Sequence, residues 1–305
     1  FEDQSVEKID GMYAFAIFHN NTLNLVTDYF GEKPLYLYTC EKGIFFSSEA
    51  SVLIKLFSLN FKYDNNELIS FLSFGYTPDY KTGFNNLELI KPATIIKFSS
   101  PFNKEKKKYW NIKKLKNNNL KTKFDKSDYD KLLSILIESI ENRMHSDVPI
   151  GLFLSSGLDS SLIAAIIKKE LNRNIDSYTV SFSKNYDESE FAQNIANYLE
   201  INHKIIKNTN EDFYNVRNLN DIYNYPNDNL TALSIYLMSK GVNEKIKVAI
   251  TGLGGDEAFF GYNKYDFIRR NQFYYLLPFI SNININKINF LFKNFSSLFK
   301  LFQYT

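Results

Sequence analysis

The sequence is poor in the residue types that build disulfide frameworks and metal centres. It contains one cysteine, one tryptophan and three histidines among 305 residues. A single cysteine excludes a disulfide scaffold, so a reducing cytoplasm is the expected location. His19, His145 and His203 have no partners at metal-ligand spacing, and we expect all three at the surface. The lone thiol, Cys40, is expected to be structural.

The chain also lacks a strong charge imbalance and a long uninterrupted apolar run. Its formal net charge is +2, which gives no global attraction to nucleic acid. Residues 271–305 are rich in Phe, Leu and Ile, but Lys287, Lys293 and Lys300 interrupt them before the ~20 apolar residues that a membrane span needs. We therefore expect a pair of core helices there, and neither a membrane nor a nucleic acid as partner.

Residues 148–161 combine a strand pattern, a turn of small residues and a helix pattern. Apolar residues 148–154 predict a buried strand, and the periodic apolar residues from 158 onward predict an amphipathic helix. The Ser-Ser-Gly turn 155–157 lets backbone N–H groups converge at the positive end of the helix dipole, which favours anions. A carboxylate beside a polyphosphate repels it unless a divalent cation intervenes, so Asp159 predicts Mg²⁺. The alternative is a serine-capped helix whose N-terminus Asp159 stabilises.

A second glycine-rich bend follows about a hundred residues later. Val248 to Ile250 predicts a short strand, and three glycines crowd the segment 252–255 at its carboxyl end, where ligands bind in open α/β sheets. Asp256 and Glu257 begin the next helix, where they could hold Mg²⁺ or simply cap the helix. We expect both bends to face one crevice.

These segments together resemble a known family. The first turn is similar to the SGGxDS loop of ATP-pyrophosphatase ligases, with Ser156 in place of the first glycine. YTVSF at 178–182, a helical pattern at 191–199 and KVAITGLGGDEAFFGY at 247–262 narrow the resemblance to the glutamine-dependent asparagine synthetases. The resemblance implies that a substrate carboxylate attacks ATP to give an acyl-adenylate and magnesium pyrophosphate, and that ammonia then displaces AMP.

The resemblance also implies roles for individual residues. It assigns binding of ATP and pyrophosphate to Phe153, Leu154, Ser155, Ser156, Gly157, Asp159, Ser160, Val180, Thr251 and Gly252. It assigns substrate contacts or catalysis to Gly255, Asp256 and Glu257, and Mg²⁺ to Asp159 and Asp256. Many members carry an acid where this chain has Leu253, which leaves the acceptor open beyond aspartate.

The front of the chain resembles a glutaminase domain of the amino-terminal-nucleophile type. Residues 9–18 and 23–26 predict paired strands across an Asn-Asn turn, and the motifs at 28–36 and 45–50 are similar to RDxxGxKPLYY and FASE. Asp28 matches the position that binds the glutamine α-amino group, although Thr27 replaces the usual arginine. Such a glutaminase needs a processed N-terminal cysteine, but residue 1 is Phe and Cys40 follows a strand. We therefore expect that the chain begins inside this domain and hydrolyses no glutamine.

The predicted organisation has two parts. Residues 1–122 form the carboxyl-terminal part of an α+β, β-rich glutaminase domain plus a linker, and residues 123–305 form an incomplete α/β ATP-pyrophosphatase domain with a parallel sheet. The lysine-rich segment 102–123 predicts a linker or surface loop, with a basic nucleic-acid patch around Tyr109 and Trp110 as the alternative. A helix over 128–143 follows, with Ser127 as its cap.

The predicted function is ATP-dependent amidation of a carboxylate, with aspartate as the first choice and ammonia supplied from glutamine. One alternative is a related amidotransferase with another acceptor. A second is another pyrophosphatase-loop enzyme, one that thiolates RNA or closes a lactam, and a third is a non-catalytic nucleotide-binding relative. The expected partners are small molecules, and a homodimer is left open.

Overall fold

A computed structural model describes residues 3–57, 64–100, 103–112, 123–181, 187–207, 222, 230–242, 244–263 and 265. The described residues divide into two compact units. The first unit contains the described residues up to 135, residues 180, 181 and 187, and the described residues from 205 to 245. The second unit contains the remaining described residues. No helix in these ranges has the length and apolar character that a membrane crossing requires. The predicted helix pair at 271–305 lies outside the described residues.

The first unit is built mainly from short antiparallel strands. Its strands are β1 Ala14–His19, β2 Thr22–Thr27, β3 Tyr36–Cys40, β4 Gly43–Ser47, β5 Leu87–Leu89, β6 Thr94–Ser100 and β7 Asn103–Lys108. Its helices are α1 Asp3–Val6, α2 Ala50–Phe57 and α3 Asn65–Phe74, with a 3₁₀ turn at Pro78–Tyr80.

These strands form two antiparallel sheets, ordered β1-β2-β6-β7 and β4-β3-β5. The predicted hairpin at the front is confirmed, since β1 pairs with β2 from Ala14 opposite Thr27 to His19 opposite Thr22. Asn20 and Asn21 have φ angles of 47° and 57°. Asparagine tolerates this left-handed conformation, which a two-residue hairpin turn of this hand needs at both positions.

The two sheets pack face to face through alternate residues. Leu25 of β2 and Ile96 of β6 join Leu37 of β3 in one buried cluster. The neighbouring residues Val26 and Ile95 point to the opposite face and form a second cluster. Because the side-chain period of a strand is two, the β1-β2-β6-β7 sheet is covered on both faces. Helix α2 covers the outer face of the smaller sheet.

Strand β7 corrects the sequence interpretation, since the prediction of a linker or surface loop is wrong for residues 103–108. This segment pairs with β6 over most of its length, from Thr94 opposite Lys108 to Ser100 opposite Asn103. All six of its side chains are exposed, so the sequence has no apolar alternation that could reveal the strand. Lysines on such an edge disfavour pairing with another chain. Residues 113–122 of the predicted linker lie outside the described residues.

The second unit, together with segments that extend into the first, contains the later strands and helices. The strands are β8 Ile150–Phe153, β9 Asp176–Ser181, β10 His203–Lys207 and β11 Val248–Ile250. The helices are α4 Lys126–Arg143, α5 Leu158–Ala165 with a π-helical continuation at Ile166–Glu170, α6 Ser189–Leu199, α7 Leu230–Val242 and α8 Gly255–Phe259.

These strands form one sheet in the order β10-β9-β8-β11. Strand β8 pairs in parallel with both β9 and β11, which agrees with the predicted parallel sheet. Leu152 and Leu154 are buried against α4, α5 and α6. The parallel pairing directs the carboxyl ends of β8 and β11 to the same edge of the sheet.

Two helices differ in detail from the pattern predicted for them. Helix α4 starts at Lys126, where Asp125 and Asp128 each accept the other's backbone N–H, at 2.9 and 3.2 Å. Asp125 therefore caps the helix, and the prediction that Ser127 caps it is wrong. In α6 the buried face is made by Ala192, Ala196 and Leu199, whereas Phe191 is exposed.

His203 is not a surface residue, which corrects the expectation for one of the three histidines. It is half-buried at the start of β10, and its Nδ1 lies 2.9 Å from Ser177 Oγ. Its Nε2 is buried without a hydrogen-bond partner. This desolvation lowers the pKa of His203 from its ordinary value of 6.5, because burial disfavours the charged imidazolium.

The lowered pKa predicts a pH-dependent loss of stability. The unfolded chain binds a proton at His203 more readily than the folded chain, so stability falls as the pH drops below 6.5. We expect His203→Gln to flatten this dependence between pH 7 and pH 5 in urea unfolding followed by circular dichroism. His145→Gln is the matched control because His145 is exposed. Equal pH slopes for wild type and His203→Gln would contradict the assignment.

Candidate functional site

The Ser-Ser-Gly turn connects β8 to α5, as the sequence predicts. Gly157 caps α5, and Ser161 Oγ donates to the Gly157 carbonyl at 2.7 Å. Ser155 N donates to Ser160 Oγ at 3.1 Å, and Gly157 N donates to Ser155 Oγ at 3.1 Å. Small hydroxyl side chains therefore organise the turn from within. Ser156 and Gly157 are exposed, so a ligand can reach the turn.

The second glycine-rich bend packs directly against the first. A Cβ atom on Gly255 would lie 2.2 Å from Asp159 Oδ2, and one on Gly252 would lie 2.9 Å from Asp159 Cβ and 3.1 Å from Ser160 N. Gly252 leaves no room for a side chain because one would collide with the backbone at the start of α5, whereas a side chain at Gly255 would displace only the Asp159 carboxylate. The structure thus brings Asp159 and Ser160 together with Gly252 and Gly255, and a ligand crevice shared by the two bends stays a prediction.

The acidic pair Asp256 and Glu257 lies in the first turn of α8. The Asp256 carboxylate rests against Gly261, where a Cβ atom would overlap Oδ1, and the Asp256 carbonyl accepts the Gly261 N–H at 3.0 Å. Glu257 accepts the hydroxyl hydrogen bond of Tyr262 at 2.5 Å. That bond raises the pKa of Tyr262 to about 12, because the carboxylate disfavours a phenolate beside it.

The other predicted ATP-binding residues lie at strand ends. Phe153 ends β8, and Leu154 N donates to the Tyr178 carbonyl at 2.9 Å, which extends the pairing with β9. Val180 lies near the end of β9 and packs with residues of α7. Thr251 follows β11, and its Oγ1 accepts the Leu253 N–H at 3.4 Å. The Leu253 side chain is 71% exposed.

Glu188 also contacts the turn, although the sequence patterns predicted no role for it at the site. Its Oε2 accepts two hydrogen bonds from Ser156, one from the hydroxyl at 2.8 Å and one from the backbone N–H at 3.3 Å. Glu188 stands at the N-cap position of α6, which follows β9 in the chain, but its side chain makes no capping bond. A residue that reaches the turn from a neighbouring βα connection has no short-range sequence signal, because only the fold brings it there.

A cleft of about 440 Å³ opens at the opposite edge of this sheet. It lies among the segments that lead into β8, β9 and β10, and its polar lining includes Asp176, Glu200 and Asn202. Asn202 Nδ2 donates to Asp176 Oδ1 at 3.1 Å. Ligands of open parallel sheets bind outside the carboxyl ends of the strands, so the two glycine-rich bends are the stronger candidate site.

Asp28 lies in the first unit and is 1% exposed. Its Oδ1 accepts the backbone N–H groups of Phe30 and Glu32, both at 3.0 Å. Its Oδ2 accepts those of Tyr13 at 3.2 Å and Lys33 at 3.0 Å. A carboxylate offers about four lone-pair sites, and these four bonds fill them. The geometry therefore supports a structural role in which Asp28 organises residues 28–33, and the glutamine-binding role stays a prediction.

Comparison with known proteins decides which family this architecture represents. A family model described as asparagine synthase matches residues 131–303, more than half of the chain. The chain belongs to the asparagine synthase family. A model described as a glutamine amidotransferase domain matches residues 2–110. The proposed boundary between domains, at residues 122 and 123, falls between the two matched ranges and stays a prediction.

Individual relatives of this asparagine synthase family member are distant. The chain is 29% identical over 279 residues to asparagine synthetase [glutamine-hydrolyzing] 1 of Bacillus subtilis, which covers 87% of the chain and 42% of that protein. It is 24% identical over 294 residues to the amidase chyE of Penicillium rubens, a match that covers 85% of the chain and 41% of that protein. The chain thus spans less than half the length of these two curated relatives.

The match to one solved structure, the NH3-dependent NAD synthetase of Campylobacter jejuni, covers 45% of this chain and 61% of the chain in that structure. It has a TM-score of 0.34 and 21% identity. This likeness is too weak to carry an argument about function.

The predicted magnesium ligands fit the chemistry of that ion. Asp159 and Asp256 supply carboxylate oxygens, the ligands that Mg²⁺ prefers, at neighbouring parts of the two bends. Within the described ranges, no three His, Cys, Asp or Glu side chains gather as a self-contained metal centre. Mg²⁺ commonly binds through one or two carboxylates plus substrate phosphates, so a site completed by a bound nucleotide is consistent with this arrangement.

The four bonds to Asp28 predict a large effect of a small change. Asp28→Asn replaces one acceptor oxygen with an amide donor that faces backbone N–H groups, so we expect a loss of about 2 to 3 kcal/mol in the free energy of unfolding. Trp110 packs edge-on against Tyr29 and Phe30, at 5.6 Å from each ring, so its fluorescence reports urea unfolding of this loop. The exposed Asp10→Asn is the control, and equal stabilities of the two variants would refute the structural role.

Proposed function

We propose that the protein carrying this chain is an ATP-dependent amide ligase that converts a substrate carboxylate to an amide, with aspartate as the first candidate. Ammonia would come from glutamine, and AMP and pyrophosphate would be released. The observation that carries the proposal is the contact of Asp159 with Gly252 and Gly255, which brings the two motif-bearing bends together. Membership of the asparagine synthase family supports the same reaction class.

In this proposal the turn binds the pyrophosphate part of ATP. The donors at the start of α5 are backbone N–H groups and hydroxyl groups on short side chains, and they belong to Ser155, Ser156, Gly157 and Ser160. The helix dipole favours negative charge at this position. Asp159 and Asp256 would hold Mg²⁺, which when bound offsets the negative charge of the phosphates. The strand ends around Phe153 and Thr251 would line the adenosine.

The reaction would proceed in two displacements. A carboxylate oxygen of the acceptor attacks the α-phosphorus of ATP, and the bond to pyrophosphate breaks. Ammonia then attacks the acyl carbon, and the bond to AMP breaks as the amide forms. Oriented donors in the turn would contribute most to the first step, because they stabilise the charge that develops on the leaving pyrophosphate.

Leu253 supports a second candidate, a related ligase with another acceptor. Leu253 is 71% exposed within the second bend, and leucine can neither transfer a proton nor bind a cation. An acceptor with an apolar portion near its carboxylate suits this position better than one with a second charge. The reaction class is the same in both candidates.

The direct test is release of pyrophosphate and AMP from ATP by the whole gene product, with ammonia and a panel of carboxylates including aspartate. We expect release that depends on the acceptor, and we expect Asp159→Ala to reduce it about a hundredfold or more. Asp147→Ala is the matched control, because Asp147 is exposed before β8. If no carboxylate stimulates release by the whole gene product, the ligase proposal is wrong.

The contact between the bends makes a separate prediction. In Gly255→Ala the new methyl group meets only the tip of the Asp159 side chain, so the fold is retained while the carboxylate is displaced. We expect magnesium pyrophosphate to bind roughly tenfold more weakly in isothermal titration calorimetry. In an Asp159→Ala background the same change should have little further effect, because the obstructing carboxylate is gone. Losses that simply add in the double variant would contradict this coupling.

A further inference from the structure

Two donors of the proposed phosphate-binding turn are already engaged by a negative charge of the protein itself. The hydroxyl and the backbone N–H of Ser156 both donate to the same oxygen of Glu188, at 2.8 and 3.3 Å. Both residues are exposed and lie in the second unit. The contact is therefore formed at the solvent-facing side of the turn, where a ligand would arrive.

A carboxylate oxygen and a phosphate oxygen accept hydrogen bonds from the same kinds of donor. Each is an anionic acceptor that forms short, charge-assisted hydrogen bonds with N–H and O–H groups. A phosphate oxygen cannot accept these two bonds while Glu188 does. If Glu188 is displaced but stays nearby, its charge still repels the phosphate.

We propose that Glu188 is an internal competitor for the anion site, and that it lowers the affinity of the turn for free pyrophosphate and for nucleotides without a metal. This inference rests on the proposed function of the turn. A magnesium-bound polyphosphate carries less net negative charge, and its cation attracts the displaced Glu188 carboxylate. Glu188 therefore favours metal-bound over metal-free anions at this site.

The Ser156 side chain is what makes the competition strong. Its hydroxyl forms the shorter of the two bonds, at 2.8 Å against 3.3 Å for the backbone N–H. A glycine at this position would keep only the longer bond. The effect of substituting Glu188 should accordingly be smaller in a Ser156→Gly background, since the two residues act through one contact.

The test is the binding of inorganic pyrophosphate to the 305-residue chain by isothermal titration calorimetry, with excess Mg²⁺ and with a chelator. We expect Glu188→Gln and Glu188→Ala each to tighten binding, roughly threefold to thirtyfold without Mg²⁺ and by less with it. Glu190→Gln is the matched control, because Glu190 is an exposed acid in the first turn of the same helix. Thermal unfolding of each variant confirms that it is folded.

The outcomes separate this inference from the proposed function. Tighter binding by both Glu188 variants, with no change for Glu190→Gln and a reduced effect in Ser156→Gly, supports the competitor. If wild type binds pyrophosphate and both Glu188 variants bind it equally or more weakly, the competitor is refuted while the phosphate-binding turn stands. If neither wild type nor any variant binds pyrophosphate or ATP, the phosphate-binding turn itself is refuted, and the competitor with it.

Discussion

The close approach of Asp159 to two glycines is the constraint on which the candidate site depends. Parallel strands β8 and β11 end at one edge of the sheet, but adjacency alone would leave their following bends apart. The bends meet because Gly252 and Gly255 carry no side chains where the start of α5 needs room. The same contact fixes the Asp159 carboxylate beside the second bend, so one steric condition sets both the packing and the position of a charge.

A comparable arrangement orders the first unit, with a different chemical basis. Asp28 is a buried carboxylate whose charge is stabilised by hydrogen bonds from four backbone N–H groups. Within the described part of the chain, no cationic side chain forms an ion pair with it. Burial of a charge is unfavourable unless such bonds replace its hydration, so the loop must close around the side chain. Thr27 before it is also buried, and its hydroxyl donates to the Lys91 carbonyl at 2.8 Å. A threonine in place of a larger cationic residue fits this enclosed position.

Local patterns predicted the parts of the structure that depend on nearby residues. The apolar run before Ser155, the Asn-Asn hairpin and the glycines after β11 each have a local cause, and the structure contains all three elements. Strand β7 has no such pattern, because backbone bonds to β6 hold it while its side chains remain in solvent. Glu188 and His203 were missed for a related reason. Their surroundings are formed by segments that only the fold brings together.

The engagement of Ser156 by Glu188 connects stability with selectivity at the turn. Backbone N–H groups at a helix start need acceptors, which come from the protein, from water or from a bound ligand. The backbone N–H groups of Ser155 and Gly157 donate to neutral serine oxygens, which a stronger anionic acceptor can replace without like-charge repulsion. Glu188 differs because it brings a negative charge to the turn at which we propose that phosphate binds. Under the proposed function, an incoming phosphate must therefore bring its own counter-charge or displace that carboxylate, which would tie the affinity of the turn to the metal content of its ligand.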